Sequence, residues 1–230
     1  MRSARTDAAD ARTDSTTRAR IRDAAVRRFG LDGFRVGLRA IASDAGVSPA
    51  LIVHHFGSKD GLRQACDEHV LGVIKEHKAA AVDPSGATAA FLSMAALDEL
   101  APLVGYALNT IAEGGDAGRS FFDHFVADAQ EYVAQGVAAG TIKPSRDERA
   151  RVFYLTLSGF GAILLDMRLH PPADARDLAA ILQSYLGRAA LPTVEIFSQG
   201  LYTDHRMLDA YLLHVGDPPS SPETPDEPTP

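Results

Sequence analysis

Two short helical patterns joined by a tight turn occupy residues 37–61, and they constrain the fold more than any other part of the chain. The first pattern places its apolar side chains on one face, as an amphipathic helix of about two turns requires; these side chains are Leu38, Ile41, Ala42 and Ala45. Gly46 ends this helix, because a glycine has no Cβ and readily adopts the positive φ of a tight turn. The pattern therefore predicts a short helix that turns sharply into a second one.

The second helix is predicted to begin directly after the turn. The Ser48 side chain can accept a hydrogen bond from a free N–H of the first turn, and Pro49 stands where a missing N–H costs nothing. This helix is brief, from Pro49 to about His54, and Ser58 can cap a third helix. A short helix whose N-terminal turn projects outward is suited to the major groove of DNA. The alternative is an ordinary three-helix bundle in which the same geometry serves packing alone.

The segments Ala45-Gly-Val-Ser-Pro49 and His54-His-Phe-Gly-Ser-Lys59 resemble the TetR family of bacterial transcriptional regulators. Gly37 and Val53 depart from the pattern, because family members commonly carry threonine and tyrosine there, two side chains that can contact phosphate. The resemblance implies an all-α fold with an N-terminal three-helix helix-turn-helix head on a helical-bundle body. The geometry of the motif predicts DNA contacts from Arg39, Ser48, Pro49, Ala50, Val53, His54 and Lys59.

The charge of the chain divides unevenly along its length. The formal net charge is −7, but residues 1–78 hold 14 Lys and Arg against 10 Asp and Glu, and the remainder holds 9 against 20. A basic head on an acidic body fits a DNA-binding protein, since phosphate contacts supply most non-specific affinity. A chance fluctuation of charge is the alternative reading.

Composition and turn signals predict four segments. Residues 1–14 lack a periodic apolar position and are predicted to be a disordered arm. The helix-turn-helix domain is predicted at 15–81 and includes a linking helix from Ser58 to about Ala81, long enough at about 30 Å to reach into the body. Residues 82–215 form the predicted ligand-binding and dimerisation domain, and the acidic, proline-rich residues 216–230 are predicted to be disordered.

Helical patterns succeed one another through the body, with no competing strand-like alternation. They are predicted at about 87–97, 100–111, 121–137, 149–169, 174–188 and 193–215. The pattern at 149–169 is apolar on nearly every face, so this helix must be covered on more than one side. A subunit interface is favoured over a monomeric core, and we expect this helix and the last one to pair with their copies in a two-fold homodimer.

Two apolar stripes in the body are candidates for a small-molecule pocket. The predicted lining residues are Leu100, Val104, Leu108, Asn109, Phe122, Phe125, Ala129 and Tyr132. On the residues alone, these side chains could equally fill the core. The family resemblance implies a cavity for an unknown, largely apolar effector, with one or two polar groups that fix its orientation.

Several classes of function have no support in the sequence. The chain has no phosphate-binding glycine loop, Gly-x-Ser-x-Gly elbow, His-Glu-x-x-His helix or cysteine cluster, so we expect no enzyme activity, cofactor or metal. A single cysteine, no signal-like segment and no apolar run of about eighteen residues predict a cytoplasmic protein without a membrane partner. The predicted function is a ligand-responsive repressor that binds a near-palindromic DNA operator as a homodimer; a helical protein-binding adaptor is the alternative.

Overall fold

The computed structural model describes residues 3–84, 97–174 and 176–215, and within these ranges the regular structure is helical throughout. The all-α fold class is thereby confirmed. The helices are α1 (Ser3–Asp32), α2 (Leu38–Ala45), α3 (Pro49–Phe56), α4 (Lys59–Val82), α5 (Leu97–Glu113), α6 (Gly115–Ala138), α7 (Glu148–Leu169), α8 (Leu178–Gln199) and α9 (Arg206–Val215).

One hydrophobic core joins the four N-terminal helices and continues into α5 and α6. Each helix contributes the apolar face that its periodicity predicts; the fully buried members include Ile21, Phe29, Ile41, Ile52, Leu62, Cys66 and Val70. Burial raises the pKa of the Cys66 thiol, which therefore stays protonated and serves packing.

The turn chemistry predicted for residues 46–58 is confirmed. Gly46 adopts a φ of 63°, and the N–H of Val47 donates to the carbonyl of Ala42 at 2.9 Å. The Ser48 hydroxyl accepts from the N–H of Leu51 at 3.2 Å, and the Ser58 hydroxyl accepts from the N–H of Gly61 at 3.0 Å. These caps fix where α3 and α4 begin.

Helix α5 packs tightly against the head. A Cβ at Gly30 would lie 2.8 Å from the carbonyl oxygen of Pro102, so α1 and α5 cross at a distance that only glycine permits. The buried Tyr106 hydroxyl donates to the Asp67 carboxylate at 2.7 Å, which ties α5 to α4 as well. Asn109 donates from its amide nitrogen to the carbonyls at the end of α1, those of Phe29 and Gly30, at 2.8 Å each.

Helix α4 also packs along α6. The Lys75 ammonium lies 2.9 Å from Asp128 and 2.7 Å from Glu131, and these hydrogen bonds raise the pKa of Lys75 to about 12. A second, smaller core between α6 and α7 contains Ala129, Val133 and Val152. The linking helix thus contacts both the DNA head and the body.

The beginning of α1 differs from the sequence prediction. The helix starts at Ser3, so residues 3–14 are helical where a disordered arm is predicted. These residues have no apolar periodicity, and a prediction based on burial therefore gives no signal there. Alanine and arginine nevertheless have high helix propensity, and no glycine or proline interrupts the chain before Gly30, so the helix propagates from its packed half towards the N-terminus.

The C-terminal helices also differ from their predicted bounds. A break is predicted between residues 188 and 193, whereas α8 continues through Pro192 and ends at Gln199, before Gly200 with a φ of 80°. A proline inside a helix frees the carbonyl four residues earlier, that of Arg188, and on this exposed half of α8 water can satisfy it. The predicted helix at 87–97, except for Leu97, and the predicted tail at 216–230 lie outside the described residues.

Candidate nucleic-acid interface

Helix α3 presents one exposed face and one buried face. Ala50, Val53 and His54 share the exposed face at positions i, i+3 and i+4, next to the exposed Pro49. Ile52 and Phe56 anchor the opposite face in the core. The outward residues are those that the sequence predicts for the DNA contact, and the packing of α3 against α2 and α4 leaves them open to a ligand.

The predicted basic contacts flank α3 in the first turns of its neighbours. Arg39 is exposed near the start of α2, and no carboxylate pairs with it among the described residues. Lys59 begins α4 and is half-buried, because its ammonium donates to the carbonyl of Phe34 at 2.5 Å. Ser48 stands at the start of α3, so these three predicted contacts lie at three successive helix N-termini, whose partial positive charge favours phosphate.

Further contacts that the sequence analysis did not identify hold α3 against the first helix. The Arg18 guanidinium lies 4.9 Å from the centre of the Phe56 ring. His55, whose side chain is 5% exposed, has its Nδ1 atom 3.5 Å from the Asp14 carboxylate. The sequence shows the basic side chains Arg18, Arg20 and Arg22 in α1, but periodicity alone does not say which side chains of α3 face them.

Substitution of the flanking cations tests their contact with phosphate. Arg39→Ala is expected to weaken binding to all duplex sequences and to lower the slope of log affinity against log salt by about one. Arg206→Ala is the charge-matched control, because Arg206 is exposed on α9 and forms its ion pair with the nearby Asp204. Fluorescence anisotropy over a range of salt concentrations measures both. A slope unchanged by Arg39→Ala would exclude this residue from the interface.

Lys59→Ala is expected to lower the salt slope in the same way, but this variant also loses the hydrogen bond to Phe34. That bond is worth about 1.5–3 kcal/mol, because the donor is charged. Urea unfolding of the variant therefore accompanies the DNA titration. Lower stability with an unchanged slope would assign Lys59 a role in packing alone.

The predicted pocket residues on α5 lie close to the head. Leu100 packs against the main core, and Leu108 is buried. Val104, which lies between these two residues in the chain, is half-buried. Asn109, a predicted pocket residue, donates from its amide nitrogen to two carbonyls of α1. Asn109 thus has a structural role at the junction of head and body.

The predicted pocket residues on α6 divide between two environments. Phe122 and Phe125 are half-buried against α7, where their ring centres lie 5.7 Å from Phe153 and 4.9 Å from Phe160 respectively. Ala129 and Tyr132 belong to the smaller core, and burial raises the pKa of the Tyr132 hydroxyl. The eight predicted residues therefore lie in several packing environments along α5 and α6.

An open cleft of about 470 Å³ lies on another face of α6. It is lined by Asp116, Arg119, Ser120, Asp123, His124 and Ala127. His124 is one of the polar groups that the sequence places near the apolar stripes, but none of the six is among the eight predicted lining residues. Most of its lining residues carry polar or charged groups, although most of the lining surface itself is apolar. The cleft is separate from the apolar stripes that carry the prediction. Among the residues that the structure describes, no cluster of three or more His, Cys, Asp or Glu side chains could hold a metal.

Large apolar side chains are exposed along α7, α8 and α9. The most exposed are Tyr154, Leu165, Leu169, Leu191, Val194, Phe197, Leu201, Tyr202, Met207, Tyr211, Leu213 and Val215, each more than half exposed. By length and composition alone, α7 could also cross a membrane, although the sequence analysis expects no such segment. However, α7 packs on α6 through Val152 and Phe160, and its Asp166 pairs with Arg188 of α8 at 2.5 Å. These contacts hold one side of α7 against the rest of the subunit and leave apolar side chains exposed on its other side.

Comparison with known proteins assigns family relationships to both parts of the chain. Residues 21–66 match the family described as "Bacterial regulatory proteins, tetR family", and residues 98–203 match "Tetracyclin repressor-like, C-terminal domain". The chain is 44% identical over 202 residues to the HTH-type transcriptional regulatory protein RaaS of Mycobacterium tuberculosis (strain ATCC 25618 / H37Rv), covering 88% of this chain and 94% of that protein. The crystal structure of a TetR transcriptional regulator from Chloroflexus aurantiacus J-10-FL shares its fold, with a TM-score of 0.50 and 22% identity over 77% of this chain and 97% of the other.

Proposed function

Because the chain belongs to the TetR family and is a DNA-binding transcriptional regulator without enzyme activity, we propose that it acts in the cytoplasm as a homodimeric repressor that a small molecule releases from a near-palindromic operator. The observation that carries the DNA-binding part is the exposed face of α3, capped by Ser48 and flanked by Arg39 and Lys59. In this proposal the uncharged outward face of α3 reads the bases, and the two flanking cations contact phosphate.

The exposed apolar faces of α7 and α8 support the homodimer. A two-fold axis would bring the same faces of two copies together and cover side chains that a monomer leaves in water. It would also present two copies of α3 to one face of the duplex. Two half-sites about one helical turn apart or more would then mirror the symmetry of the protein.

The contacts of α4 support regulation by an effector. The Lys75 bonds to Asp128 and Glu131 join α4 to α6, and the bond between Tyr106 and Asp67 joins it to α5. We place the effector against the apolar side of α6, where Phe122 and Phe125 are half-buried. A ligand that displaces α6 would therefore displace α4, whose first turn carries Lys59.

A pair of binding measurements tests this proposal. The wild-type protein is first footprinted on the promoter region flanking its own gene, and operator affinity is then measured by anisotropy against a panel of lipophilic compounds. A true effector that weakens operator binding tenfold must itself bind the DNA complex about tenfold more weakly, a coupling of about 1.4 kcal/mol. Ligands that bind the free protein tightly yet leave operator affinity unchanged would contradict the switch.

The same experiment separates the proposal from the helical adaptor. An adaptor that acts only through protein contacts would not distinguish the promoter region from a random duplex of equal length. A regulator protects a defined sequence, and its advantage over random DNA persists as salt is raised.

A further inference from the structure

The face that α3 offers to DNA lacks the side chains that most often read bases. Within its eight residues, Pro49–Phe56, there is no Arg, Lys, Asn, Gln, Asp or Glu. Bidentate hydrogen bonds to guanine come mainly from Arg or Lys, and those to adenine come from Asn or Gln. No side chain of α3 can make either pair of bonds.

Only one polar side chain of α3 faces outward. His55 is turned into the protein, with its ring edge-on to Phe56 and its Nδ1 atom near Asp14. His54 is exposed, and its outward neighbours on the same face are Ala50 and Val53. Val53 is 45% exposed, so a branched apolar side chain stands on the outward face of α3.

Basic side chains surround this outward face of α3, and they indicate which kind of partner covers it. Arg39 and Lys59 flank it in the first turns of α2 and α4, and the N-terminal 78 residues carry an excess of basic side chains. This charge complements phosphate. Among the base edges in the major groove, only thymine presents an apolar group, its 5-methyl.

We propose that Val53, with Ala50 beside it, contacts the 5-methyl group of a thymine in each half-site and that this contact sets the base preference there. The proposal deepens the proposed function and rests on operator binding by the same face of α3. His54 supplies the one hydrogen-bonding contact from α3 to a neighbouring base. At the base that Val53 contacts, the protein therefore recognises the 5-methyl group. Its affinity there does not depend on the Watson–Crick hydrogen-bonding groups of the base.

Uracil interference tests the contact directly, since uracil differs from thymine only by the missing methyl. Duplexes are selected from a random library by the wild-type protein, and their consensus is resynthesised with single thymines replaced by uracil. Replacement at the contacted position is expected to weaken binding about fourfold per half-site, the value of one buried methyl group. Replacement at other thymines is expected to leave the affinity unchanged.

Two variants assign the effect to its side chain. Val53→Ala should bind the thymine and uracil duplexes equally, and its salt slope should match that of the wild type because no phosphate contact is lost. His54→Ala is the matched control on the same face, and it should retain the uracil penalty. Val53 is exposed and alanine favours helix, so the variant folds; far-UV circular dichroism verifies this.

The outcomes are distinguishable. A consensus site in which no thymine responds to uracil, or a Val53→Ala protein that keeps the penalty, overturns the methyl contact and leaves the proposed operator binding intact. Selection that enriches no consensus overturns both proposals together.

Discussion

Gly30→Ala is expected to lower the free energy of unfolding by about 1–3 kcal/mol, the cost of overpacking a closely fitted contact. A Cβ at this position would lie 2.8 Å from the carbonyl oxygen of Pro102 and 3.1 Å from the amide nitrogen of Tyr106. Both atoms belong to the backbone of α5 and cannot rotate away. The two helices must therefore separate, which also strains the bonds from Asn109 to Phe29 and Gly30.

Gly72→Ala is the matched control for this prediction. Gly72 lies inside α4, and a Cβ there would meet no atom within 4 Å. Replacing glycine by alanine in a helix interior is worth up to about 1 kcal/mol, so this variant is expected to be more stable than the wild type. Urea unfolding followed by circular dichroism, at one fixed protein concentration, measures both. A Gly30→Ala protein as stable as Gly72→Ala would show that α1 and α5 do not cross as closely as described.

The head could be predicted closely because its signals are local. The turn and the helix caps form between residues that are only a few positions apart. The structure places each of their residues as expected: Gly46, Ser48, Pro49 and Ser58. The geometry of such a motif can be predicted because each cap and turn depends only on residues that are close in sequence.

The junction of head and body could not be predicted, because its partners are far apart in the chain. Asn109 bonds to backbone 79 and 80 residues away, and Tyr106 bonds to Asp67 across 39. The Arg63 guanidinium lies 3.7 Å from the centre of the Phe34 ring and pairs with Glu113 at 2.6 Å. In sequence, Asn109 and Tyr106 are simply polar groups on an apolar stripe, which is equally typical of a ligand pocket.

The apolar helix α7 shows a further limit of periodicity. Apolar side chains on every face predict that two surfaces are covered, but they do not say which residues face the body. In the structure, Phe160 packs on Phe125 of α6 with 4.9 Å between ring centres, whereas Leu157, three residues earlier, is 51% exposed. Which side chains of α7 face the body depends on how α6 and α7 cross, and the crossing is determined by the side chains of both helices.

Leu157→Asp is expected to convert the proposed homodimer into a folded monomer. In the subunit Leu157 is largely exposed, so a carboxylate there stays hydrated and the fold tolerates it. In a two-fold interface the same carboxylate would be buried twice and without a cation, at a cost of several kcal/mol per charge. Light scattering of the wild type and the variant at micromolar concentration measures the change. In DNA binding, the monomer engages one half-site and should show about half the wild-type salt slope.

Phe160→Asp is the matched contrast on the same helix, and the two variants together distinguish an interface from a core. Phe160 is half-buried against Phe122 and Phe125 within its own subunit, so a charge there loses aromatic contacts and is partly desolvated even in a monomer. Phe160→Asp should therefore lower the urea midpoint of the subunit itself, whereas Leu157→Asp should unfold like an isolated wild-type subunit. A wild-type protein that is already monomeric, or a Leu157→Asp protein that remains dimeric, would contradict a dimer built on this face of α7.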